Sequence, residues 1–171
     1  MLDTVTRYLA GLASSSDRSA LRAVLAPMAD RYASQSLSSA GLVIKAAASA
    51  LVKTGASAYH AVAQGVLVTK AAATDMAALV GTVTNARFNV YCFYIDSAGV
   101  LTSQMGTEGT TLALVKFPDT PVGKAQLGFI IVNPTGTGNF VGGTTALDDV
   151  TVVPNVAFIN TLSQFDPTVL V

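Results

Sequence analysis

Ala86-Arg-Phe-Asn-Val-Tyr-Cys-Phe-Tyr-Ile95 is the densest apolar run of the chain. Alternation puts Phe88, Val90, Cys92 and Tyr94 on one face and Tyr91, Phe93 and Ile95 on the other. Apolar residues on both faces predict a central strand covered on both sides, rather than one that borders water. Asp96-Ser97-Ala98-Gly99 follows as a type I turn sequence, with a glycine for the left-handed position. Residues 100–104 then return as the hairpin partner.

Working outward, short strand candidates recur between turns. Residues 58–63 and 66–69 flank Gln64-Gly65, a tight hairpin turn. Residues 42–48 and 51–54 are weaker strands, diluted by alanine. Thr74 to Leu79 fits one helical turn capped by Thr74. Residues 111–117 and 127–132 are two further strands, joined through the Pro118–Gly123 turn. Asn133 to Gly143 is a Gly/Thr loop. Residues 150–159 close the pattern, and Pro154 within them suits an edge strand or a bulge. No βαβ rhythm and no internal repeat is present. The expectation is a mainly β domain over residues 37–171, a small antiparallel β-sandwich or barrel. The tail from Ser163 is expected to be extended.

Residues 1–36 read differently, as a helical N-terminal arm. Val5, Leu9 and Leu12 lie at helical spacing after Asp3, a candidate N-cap. Ser14-Ser15-Ser16-Asp17 interrupts them and can cap a second helix. In it, Leu21, Val24, Leu25, Met28 and Tyr32 form one apolar stripe. Pro27 should kink or restart this helix. Short helices are marginal alone in water, so both pieces need a surface to pack on. Ser34 to Gly41 reads as a linker into the β domain.

The chain has 171 residues, enough for one cored domain and an arm. Ten basic and ten acidic residues make up 12% of it, against about 25% in ordinary soluble domains. Either Ser, Thr and Gly carry the polar surface, or neighbouring molecules cover much of it. The second explanation is preferred here. Zero net charge argues against nucleic acid or an anionic membrane as partner, because phosphate binding needs a basic stripe. Arg7, Arg18, Arg22 and Arg31 in the arm are largely offset by Asp3, Asp17 and Asp30. No run of about 18 apolar residues marks a membrane span. The first twenty residues lack the layout of a signal peptide, so synthesis in a cytosol is expected.

The chemistry-bearing residues are few. Cys92 is the sole cysteine, which excludes an intrachain disulfide, and its apolar run suits a small buried hydrophobe. His60 is the only histidine and lies in an alanine-rich strand with no Gly-x-Ser-x-Gly elbow. Glu108, the only glutamate, falls in a loop with no paired carboxylate. Asp148-Asp149 can attract a cation but lacks calcium-loop spacing, and a solvated turn is the simpler reading. Asn133 to Gly143 lacks the Gly-Lys-Ser/Thr ending of a phosphate loop. It reads instead as a loop needing positive φ and close backbone packing. No catalytic residue, metal, cofactor or small-molecule substrate is expected.

Thr74-Asp-Met-Ala-Ala-Leu79, the run from Gly81 to Gly99, and Gly128-Phe-Ile-Ile-Val-Asn-Pro-Thr-Gly-Thr-Gly-Asn-Phe-Val-Gly-Gly-Thr-Thr-Ala-Leu-Asp-Asp149 together resemble small virion proteins of tailed bacteriophages and prophages. The resemblance spans roughly residues 58–167 and brings no catalytic motif. It implies a structural role on the virion: a head decoration (cement) protein on the capsid surface, with a tail, head-fibre or host-surface binding module as the alternative. In the first case the partners are the major capsid protein and copies of the chain itself, as a homotrimer. The docking residues expected for the arm are Val5, Leu9, Leu12, Leu21, Val24, Leu25, Met28 and Tyr32. In the second case Tyr59, Tyr91, Tyr94 or the 133–143 loop would meet a glycan or receptor.

Overall fold

A computed structural model describes residues 15–162. They form one helix, α1 (Ser15–Ala33), followed by eleven strands: β1 (Gln35–Ser36), β2 (Val43–Ile44), β3 (Val52–Lys53), β4 (Tyr59–Ala63), β5 (Val66–Lys70), β6 (Thr82–Val83), β7 (Asn89–Ile95), β8 (Leu101–Met105), β9 (Ala125–Asn133), β10 (Phe140–Val141) and β11 (Asn155–Asn160). The fold is mainly β and antiparallel, with a sandwich-like arrangement, as the alternation and turn spacing predict.

The principal sheet has the order β11-β9-β7-β8, so β7 is flanked on both sides. Every residue of β7 is buried. Its two faces separate as the alternation requires. Tyr91, Phe93 and Ile95 join Ala125, Leu127, Ile130 and Val132 in the main core. Val90, Cys92 and Tyr94 join Phe129 in a smaller cluster on the reverse face. The 96–99 turn closes as expected, with the Gly99 N–H donating to the Asp96 carbonyl at 2.9 Å and φ of 77° at Gly99.

A three-stranded sheet, β1-β4-β5, lies over the main-core face and contributes Tyr59, Ala61 and Val68. Its β4–β5 hairpin turns through Gln64 (φ 51°) and Gly65 (φ 76°), and two successive left-handed residues are what a type I′ turn needs. Two short ribbons, β2–β3 and β6–β10, complete the layer.

Several local expectations give way to tertiary contacts. Thr74 to Leu79 is not helical. The Met76 N–H donates to the Val52 carbonyl and the Thr54 N–H to the Thr74 carbonyl, which draws the segment alongside β3. Met76 and Leu79 are buried there. Residues 111–117 form no strand in the sheet. Leu112–Leu114 is a 3₁₀ turn, and Val115 and Phe117 beyond it cover the reverse face of β7 and β9. Both sides of β7 are already paired, so this segment serves as a lid on the sheet. Most of residues 42–48 and 51–54 is irregular, with only two residues from each in the β2–β3 ribbon. The 133–143 loop contains β10, paired with β6. Residues 150–153 are turns held by Asp149, and the strand β11 begins after Pro154, at the sheet edge. Ser34 to Gly41 is no free linker: Gln35 and Ser36 pair with Val62 and Ala61, and Ser34, Ser36 and Ala40 are buried.

Candidate functional site

α1 is a continuous helix from Ser15 to Ala33, beginning within the serine run that suggested a cap. It does not restart at Pro27. Proline removes one intrahelical donor and crowds the preceding turn, at a cost of about 3 kcal/mol in a helix interior. A helix carrying that cost gains most of its stability from packing.

Hydrogen bonds tie its C-terminal end to the β domain. The Gly123 N–H donates to both carboxylate oxygens of Asp30, at 3.1 and 2.9 Å. The Gly65 N–H donates to the Ala33 carbonyl at 2.8 Å, and the Gln64 N–H to Ser34 Oγ at 3.0 Å. The β4–β5 turn thus satisfies a carbonyl that the helix end leaves unpaired. Gly123 is buried at φ 76°, with the Gln64 side chain where a Cβ would stand. Asp30, Gly123, Gln64 and Gly65 form a socket for the last turn of the helix.

At roughly 100° per residue, Asp30 falls opposite Leu21 on the helix. The socket therefore holds the alanine-rich Asp30 side of α1 and turns the stripe outward. Leu21, Val24, Leu25, Met28 and Tyr32 are all exposed, Val24 to 62% and Tyr32 to 68%. Five neighbouring apolar side chains on one helical face, held away from the core, make a surface suited to a second molecule. Val5, Leu9 and Leu12 lie outside the described residues. Turn chemistry marks Gln64-Gly65 and Gly123 as turn residues but does not show that they receive the helix end. A helical wheel placing Asp30 opposite the stripe is the signal that points to them.

The other candidates are engaged in holding the backbone. Thr84 donates to Glu108 through its N–H (2.9 Å to Oε2) and its hydroxyl (3.0 Å to Oε1), so this carboxylate ties the 84–85 turn to the 106–110 loop. Asp148 Oδ2 accepts from the Ala48 N–H at 2.9 Å. Asp149 Oδ1 accepts from the Thr151 hydroxyl and N–H at 2.6 and 2.9 Å. The Thr151 hydroxyl, then its N–H, hold the Asp149 carboxyl below its ordinary pKa. His60 is exposed and pairs through Nδ1 with Thr69 Oγ1 at 2.9 Å, its cross-strand neighbour. Among the described residues, no three His, Cys, Asp or Glu side chains converge as a metal site.

The three tyrosines expected to meet a glycan are fully buried, which corrects that reading of them. They fill the core because the apolar rings lie on inward faces of β4 and β7. Burial raises the phenol of Tyr91 to about 12 and those of Tyr59 and Tyr94 further. Burial likewise pushes the Cys92 thiol up to about 12, so it is a buried neutral hydrophobe and not a nucleophile. The 133–143 loop is packed rather than open at two points. Gly136 lies against the Thr151 carbonyl with no room for a Cβ, and Phe140 is fully buried against Tyr91. No helix of the described residues is long and apolar enough to cross a membrane. No family model, curated protein or solved structure matches the chain.

Proposed function

We propose that this protein is a non-enzymatic structural subunit of a tailed-phage particle, acting as a head decoration protein that stabilises the capsid. The observation that carries the reading is the outward apolar face of α1. The sparse charge of the chain and the resemblance of residues 58–167 to phage virion proteins support it. The β domain would lie over junctions between capsid subunits, with α1 set against a neighbouring subunit. Buried apolar surface contributes roughly 25 cal/mol per Å², so a modest contact repeated across a shell adds up to substantial stabilisation. His60, Glu108 and Asp148 each hold a neighbour in the fold, and the proposed role assigns no chemistry to them.

The test is a mass-spectrometric copy count in purified particles from the strain that encodes the chain. Copy numbers approaching those of the major capsid protein are expected. A handful of copies per particle would move the protein to the tail or a fibre, and absence from particles would overturn the proposal.

A further inference from the structure

We draw no further inference here: the strongest candidate, the outward apolar face of α1 from Leu21 to Tyr32, belongs to the site already described, and nothing in the structure shows what covers it.

Discussion

β7 and α1 both carry large apolar side chains at regular spacing, yet these end in opposite environments. β7 is buried on both faces, between the main core and the lid formed by Val115 and Phe117. α1 is fixed by a polar socket and shows its apolar stripe to solvent. Apolar periodicity therefore tells which side chains will be covered, but not by which molecule. β7 is completed by its own chain. α1 has the same requirement and nothing among the described residues to meet it.

If the two regions differ in this way, truncation should separate them. Phe93→Ala opens a cavity at the centre of the sheet and should cost about 3–5 kcal/mol, read as a lower denaturation midpoint. A cost near zero would mean the core is not centred on β7.

Alkali should weaken the core through its buried acids. Cys92 rises from an ordinary 9.0, and Tyr91 from 10.0, to about 12. The unfolded chain ionises first, so folded stability is fully present below pH 9 and is lost as pH climbs toward 12. Denaturation followed at stepped pH should show this fall, and a flat profile would contradict burial of these groups.

Gly136→Ala drives a methyl group into the Thr151 carbonyl and should cost about 2 kcal/mol or more, because both partners are backbone. Equal stability would show that the 133–143 loop yields easily.

The smallest effect tests the link between the regions. Asp30→Ala removes the acceptor for the Gly123 N–H, a contribution of about 1 kcal/mol, and should loosen α1 with little change in the midpoint of the domain. Faster hydrogen exchange at the Gly123 amide, with the β7 amides unaffected, is the expected pattern.

Much of the fold was legible in residue order. The two faces of β7, the Gln64-Gly65 turn, the Asp96–Gly99 turn and the stripe of α1 all follow from local alternation or turn chemistry. What escaped was set by distant partners. Thr74 to Leu79 has the look of a capped helical turn, but bonds to Val52 and Thr54 hold it extended. Residues 111–117 have strand composition, but no open edge of β7 remained for them to join. The linker character of Ser34 to Gly41 gave way because Gln35 and Ser36 pair with β4. At the candidate site the stripe itself was visible in the spacing, whereas its outward direction depends on Asp30 meeting a glycine 93 residues away. Tyr59, Tyr91 and Tyr94 invited a surface reading by residue type alone, and their strand faces place them in the core.

The most direct measurement joins Leu21→Ser, Leu25→Ser and Met28→Ser in one chain and follows thermal unfolding beside incorporation into particles. The account predicts a β domain that melts where the unsubstituted one does and a chain that no longer assembles. Undiminished incorporation, or a domain that collapses with the stripe, would contradict it.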